Sequence, residues 1–326
     1  MVSARADGGG AQLSEGLRGP VVCIVGPTAS GKSTLSELVA LELGSDVISV
    51  DSMQVYRGMD IGTAKTPLQE RRVPLQMVDV VGIDEDYSVA RFQEDCRKLI
   101  DERLATGVTP VLCGGTGLYL DAVIDEMEFP TGDTHGVIRG RYEQMLEDKG
   151  AQAIWDLLYE RDPLGAEAIH PNNSKRVVRA LEMLDQGVKY SAQLENLRVR
   201  KPRYDARIWA LTMDRDRLYA RINQRVNMMV EQGLVSEVEG LVSRGYGVDL
   251  TARQAIGYKE ILEYLDGEIG LDEAVELIKR RTRRYAKRQL SWLRRDGRAN
   301  WIDLDVVSPD EATALIVSDL RFRYRS

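Results

Sequence analysis

Residues 26–33 read GPTASGKS, a spacing of glycines, lysine and serine with a narrow range of chemical uses. The glycines let the backbone curl so that its N–H groups point at anionic oxygens, and a helix start adds positive potential. Lys32 would reach phosphate oxygens and Ser33 would ligand magnesium. Gly26, Pro27, Thr28, Ala29, Ser30, Gly31, Lys32 and Ser33 therefore form a candidate phosphate cradle, although the pattern does not say which phosphate it takes. Asp51 is the second candidate. A carboxylate near a bound diphosphate either holds magnesium or accepts a proton, and spacing does not separate the two. Arg221 and Arg225 lie one helical turn apart, as a diphosphate clamp or as ordinary surface arginines.

These groups need elements to position them. The apolar run 21–25 before the loop and the pattern Leu35, Leu38, Val39, Leu43 after it predict strand, loop and helix. Residues 46–50 (DVISV) predict a buried strand with Asp51 at its C-terminal end, where open parallel sheets bind ligands. Residues 51–65 are polar and glycine-punctuated, and read as a loop over the site. Further strands are expected at 76–80 and 109–113, with a helix at about 88–105 between them. GGTGLY at 114–119 offers either a second backbone-contact site or a plain glycine turn.

From about 125 to 204 the pattern turns helical, with breaks at Asp162-Pro163 and at 170–173, which predicts an inserted subdomain. One of its helices would bury Val177, Val178, Leu181 and Leu184 and expose Lys175, Arg176 and Arg179. Strand character returns at 206–211. A helix from near Asp214 then buries Leu218, Ile222, Val226 and Met229 and ends at Gly233. Residues 254–260 (QAIGYKE) lead from a loop into a helix. A last helix at about 271–295 carries Lys279, Arg280, Arg281, Arg283, Arg284, Lys287 and Arg288, which should occupy more than one face and follow a polyanion backbone. The expected fold is α/β, a P-loop NTPase-like parallel sheet with an inserted helical subdomain. It divides into a disordered tail (1–18), a first core segment (19–124), the insertion (125–204) and a second core segment (205–326).

Composition sets limits on these readings. The 326 residues are 43% hydrophobic, enough for a packed core, and carry a net charge of −7, so any affinity for nucleic acid must come from the local basic cluster. The three cysteines, Cys23, Cys96 and Cys113, are scattered and read as buried thiols in a reducing compartment. The two histidines, His135 and His170, have no partners at zinc spacing, which leaves magnesium as the expected metal. No apolar run suits a membrane span and no signal peptide stands out, so a cytoplasmic protein is expected. A plain small-molecule kinase would not need the basic stripe, although a nucleotide kinase or NTPase acting with RNA would.

In this order, GPTASGKS, ISVDSMQVYRGMDIGTAK, GGTGLYL, HPNNSKRVVRALE, QAIGYKE and AKRQLSWLRR resemble the bacterial tRNA dimethylallyltransferases (the tRNA isopentenyltransferase family) over residues 20–301. The resemblance implies transfer of a dimethylallyl group from dimethylallyl diphosphate to N6 of adenosine 37, beside the anticodon, by a monomer without the C-terminal zinc finger of eukaryotic members. It implies that Asp51 is the catalytic base, that Lys32, Ser33 with magnesium and Arg225 stabilise departing diphosphate, and that the loop holds prenyl diphosphate rather than ATP. It also implies contact with the tRNA anticodon stem-loop by Asp51, Ser52, Met53, Gln54, Thr116, Arg139, Lys175, Arg176, Arg179, Gln254, Gly257, Lys259, Lys287, Arg288 and Gln289.

Overall fold

The computed structural model describes residues 18–130, 132, 136–245 and 254–323. Its centre is a six-stranded, all-parallel sheet in the order β3-β2-β4-β1-β5-β6. The strands are β1 (Arg18–Val25), β2 (Val47–Val50), β3 (Leu75–Gln76), β4 (Val111–Gly114), β5 (Tyr204–Thr212) and β6 (Asn300–Asp303). The inner strands VVCIV, VISV and VLCG are buried on both faces, as continuous apolar runs in a helix-covered parallel sheet should be. Alternation then divides their side chains. Val22, Ile24 and Val111 pack with helices α1 (Lys32–Leu43) and, near the C-terminus, α12 (Pro309–Arg323). Val21, Cys23, Val25 and Leu112 pack on the other face, with α2 (Val89–Ala105) and α3 (Gly117–Ile124).

From β1 the chain crosses over to β2, while β5 pairs on the opposite edge of β1. The reversal point therefore falls at the C-terminal end of β1, where the phosphate loop begins.

Between α3 and β5 lies a separate compact unit, Asp125–Lys201, built from α4 (Val137–Arg161), α5 (Pro163–Glu167), α6 (Ser174–Asp185) and α7 (Tyr190–Arg198). Its own core includes Tyr142, Ile154, Leu158, Val177, Val178 and Leu181, with Leu184 partly buried. Gly150, at φ 81°, breaks α4 into two helical pieces. The remaining helices, α8 (Arg215–Glu231), α9 (Leu234–Ser243), α10 (Tyr258–Leu265) and α11 (Leu271–Leu293), belong with the sheet.

Several expectations change. The strand expected at 76–80 stops at Gln76, because Met77 and Asp79 adopt left-handed φ values of 58° and 56° that cannot continue a ladder. Arg18, expected in the tail, opens β1 opposite Tyr204 and pairs with Asp101, while residues 1–17 and His135 lie outside the described residues. All three cysteines are buried free thiols. Among the described residues, no helix is long and apolar enough to cross a membrane.

Candidate active site

The phosphate loop is held from both sides. Ala29 is left-handed at φ 64°, a conformation costing an alanine of the order of 1 kcal/mol, and its methyl packs with Met213, Leu218 and Ile222. Arg221, expected as clamp or surface arginine, donates Nε–H to the Ala29 carbonyl at 2.9 Å. On the other side the Thr28 N–H donates to Gln289 Oε1 at 2.9 Å. Gly31, also left-handed, caps α1, whose first N–H groups lack helical acceptors. Lys32 Nζ rests on the Pro27 carbonyl at 3.3 Å. Burial lowers the Lys32 pKa; Cys113 opposes that, Arg225 adds to it and Asp51 opposes it.

Ala29, Gly31, Lys32, Ser33, Arg221 and Arg225 line one open cavity at the loop mouth. A second cavity, of about 290 Å³, joins Thr28, Asp51 and Arg225 to an apolar wall of Ile222, Val226, Met229 and Ile278, with Tyr285 and Arg288 also lining it. Arg225 also donates to Thr28 Oγ1 at 3.5 Å, and burial acts against its charge, with Asp51 opposing that effect. Burial raises the Tyr285 pKa to about 12; the nearby Asp51 charge acts the same way, and hydrogen bonding to Thr116 and Gln289 opposes it. The site thus brings a glycine-turned loop, cations, a carboxylate and an apolar wall together.

Among the described residues, no group of three or more His, Cys, Asp or Glu is placed to hold a metal alone. Ser33, Ser49 and Asp51 line a small cavity of about 30 Å³ together with Lys32. Hard oxygen donors of this kind suit magnesium that shares its coordination with a phosphate substrate.

Asp51 caps its own turn by accepting the Met53 N–H at 2.9 Å, and Ser52 N–H approaches Thr116 Oγ1 at 3.4 Å. Gln54 is bound inward, accepting from Ser49 Oγ at 2.8 Å and donating to the Thr63 carbonyl at 3.2 Å. The rest of this loop is fixed by residues that sequence reading did not single out. Glu237 accepts the successive N–H groups of Asp60, Ile61 and Gly62 at 3.0, 2.8 and 3.2 Å, and also the Tyr258 hydroxyl at 2.5 Å. Lys65, its side chain only 3% exposed, donates to the Tyr56 carbonyl, Asp60 and Asp79. Both partner sets are distant in sequence or lie inside an irregular loop, so no local pattern announces them.

The residues expected to meet RNA fall into two groups. Lys287 and Arg288 are exposed on α11, and Gln254 is exposed before α10, where Lys259 is half-exposed. Lys175 and Arg176 are exposed on α6. Arg179 is engaged by Glu182 and the Pro130 carbonyl, and Arg139 pairs with the same buried Glu182 at 3.2 Å. Gly257 is buried and donates its N–H to Glu260 at 2.7 Å. Gln289, expected to meet tRNA, is only 6% exposed, with both ends of its amide bonded inside the protein. The basic helix is also more ordered than its composition suggests. Lys279, Arg281 and Arg283 bond to Glu276, Glu260 and Asn223, which leaves Arg280, Arg284, Lys287 and Arg288 as one exposed stripe.

Comparison with known proteins adds to this geometry. A family model described as IPP transferase matches residues 54–296, and one described as isopentenyl transferase matches residues 19–74. The tRNA dimethylallyltransferase of Carboxydothermus hydrogenoformans is 46% identical over 301 residues, covering 92% of this chain and 96% of that one. The crystal structure of the full-length tRNA isopentenylpyrophosphate transferase from Bacillus halodurans is similar with a TM-score of 0.69 at 43% identity, covering 93% of this chain and 97% of that one. A eukaryotic dimethylallyltransferase acting on tRNA gives a TM-score of 0.76 at 29% identity, covering 94% of this chain and 80% of that one. With a match over most of its length and relatives above 40% identity along nearly all of it, the chain belongs to the IPP transferase family.

Proposed function

We propose that this chain is a tRNA dimethylallyltransferase that moves the dimethylallyl group of dimethylallyl diphosphate to N6 of adenosine 37 in tRNA and releases diphosphate. The observation that carries this reading is the cavity joining Thr28 of the phosphate loop, Asp51 and Arg225 to the apolar wall of Ile222, Val226, Met229 and Ile278. The diphosphate lies on the loop amides, Lys32 and Arg225, and the short branched chain lies against the apolar wall. The prenyl carbon–oxygen bond breaks, the new carbon–nitrogen bond forms, and Asp51 accepts the proton that N6 loses. Lys32 and Arg225 stabilise the charge that accumulates on the leaving oxygen. Ser33 would hold magnesium, which would supply further stabilisation of that charge when bound.

The adenine must leave its stack to reach Asp51, so the enzyme must also hold the anticodon stem-loop. Exposed Lys287 and Arg288 beside the cavity, and Lys175 and Arg176 on α6, are the cations assigned to the RNA backbone. We assign to it the work of a monomer acting on tRNA in the cytoplasm.

The test is mass spectrometry of nucleosides after incubating unmodified tRNA with the protein, dimethylallyl diphosphate and magnesium. The expected product is dimethylallyladenosine at position 37, formed at a rate that ATP does not depress. Absence of that product together with tight ATP binding and hydrolysis would establish a nucleotide-using enzyme instead.

A further inference from the structure

Gln289 sits on α11 two residues beyond the exposed Lys287, yet it points the other way, into the protein. Its amide can be oriented in one way only. Oε1 accepts the Thr28 N–H at 2.9 Å, and Nε2 donates to the Gly115 carbonyl at 2.9 Å. A flipped amide would face N–H against N–H and oxygen against oxygen. The bridge also explains Gly115, and a neighbouring close approach explains Gly114. A β-carbon on Gly115 would stand 2.1 Å from Gln289 Nε2 and 3.0 Å from the Gly26 carbonyl, and one on Gly114 would stand 2.0 Å from the Val50 carbonyl. The run is therefore built for close approach of three chain segments.

We propose that Gln289 is a positioning residue for the donor site, fixing the Thr28 end of the phosphate loop against the Gly115 turn, and is not a tRNA contact. This rests on the reading above that the loop holds the diphosphate of the prenyl donor. By taking the Thr28 N–H, Gln289 leaves the anion to the amides and side chains that follow, at the start of α1, and settles which part of the loop faces the substrate. Arg221 does the corresponding work on the Ala29 carbonyl. The loop is thus fixed at two adjacent residues, Thr28 and Ala29, before any donor arrives, so little ordering remains when it binds.

The experiment compares Gln289→Met, which keeps the side-chain length and removes both hydrogen bonds, with the unmodified enzyme. Leaving a buried N–H and a carbonyl unpaired should raise the KM for dimethylallyl diphosphate about tenfold or more. The Kd for tRNA without donor, and its salt dependence, should stay within about twofold. A weakened tRNA Kd with a flatter salt slope and an unchanged donor KM would overturn the proposal and make Gln289 an RNA contact. Hydrogen exchange of the Thr28 amide in the unmodified protein without ligands gives an answer even if the variant folds poorly. Strong protection is expected, and exchange at the rate of an open peptide would overturn the bridge. An unmodified enzyme that did not use dimethylallyl diphosphate at all would refute the assigned function, whereas a normal enzyme with an unaffected variant would refute only the role of Gln289.

Discussion

The phosphate loop and the loop that follows β2 both line the cavity that holds Asp51 and Arg225 against the apolar wall, but they are kept in shape by different means. The first is compact and largely self-determined: it ends a buried strand, turns through left-handed Ala29 and Gly31 and runs directly into α1, with the single bonds from Gln289 and Arg221 trimming its position. The second is long and irregular, and its shape is imposed from outside by Glu237 and Tyr258 and from within by the buried ammonium of Lys65. A loop of the first kind can be reached by few conformations of its own sequence, whereas one of the second kind exists only once the distant partners are assembled. The contrast predicts where substitutions should damage chemistry and where they should damage placement.

The largest effects should come from the chemical group that each loop contributes. Lys32→Ala removes a cation from the developing diphosphate charge and is expected to lower single-turnover rates about 10²- to 10³-fold. Asp51→Ala should lower them about 10²-fold or more while leaving tRNA affinity nearly unchanged. Rates within a few-fold of the unmodified enzyme in both variants would mean that neither loop carries the reaction.

Glu237→Gln is aimed at placement alone. One amide oxygen replaces a carboxylate that serves three N–H groups and a hydroxyl, so the second loop should loosen while the phosphate loop stays fixed. We expect kcat/KM to fall about tenfold, with diphosphate affinity unchanged in direct binding. A variant that lost diphosphate affinity to the same degree would show that the two loops are not held independently.

The smallest expected effect on the donor reaction lies outside both loops. Arg284→Ala combined with Lys287→Ala removes two exposed cations of α11 that do not line the cavity. The log–log dependence of tRNA affinity on salt should flatten by about 0.7 to 0.9 per lost phosphate contact, with donor binding unchanged. An unchanged slope in a folded variant would remove this stripe from the RNA-binding surface.

The same contrast explains what was legible in the sequence. GPTASGKS could be read because cradle, strand and helix are contiguous, and Asp51 because it ends an apolar strand. Glu237 could not be read, since it meets Asp60, Ile61 and Gly62 from far along the chain and nothing in LVSEVEG marks one glutamate out. The basic helix was legible as composition but not as geometry. Which cations remain free depends on Glu260 and Asn223, contributed by other helices. Gln289 lay within a resembling motif, but the direction of its side chain follows from the packing of α11 against the Gly115 turn. The strand expected at 76–80 failed for a local reason, two left-handed residues of types that seldom announce themselves.

The place of β5 beside β1 has a consequence for the order in which the molecule can be made. The sheet needs Tyr204–Thr212 to cover one edge of Arg18–Val25, and the unit Asp125–Lys201 is translated between them. At about 5 to 20 residues per second, its passage through the ribosome occupies roughly 4 to 15 s. Throughout that interval the nascent sheet can recruit β2 and β4 but has no β5 to close the far side of β1. The helical unit carries its own core and needs none of the missing strands to bury it. The carbonyl of Ile124 accepts the N–H of Arg203 at 2.9 Å, so the chain returns to the sheet beside the point where it left. Vectorial synthesis thus delivers the last central strand next to an edge that has waited for it, and the phosphate loop at the end of β1 is completed only then.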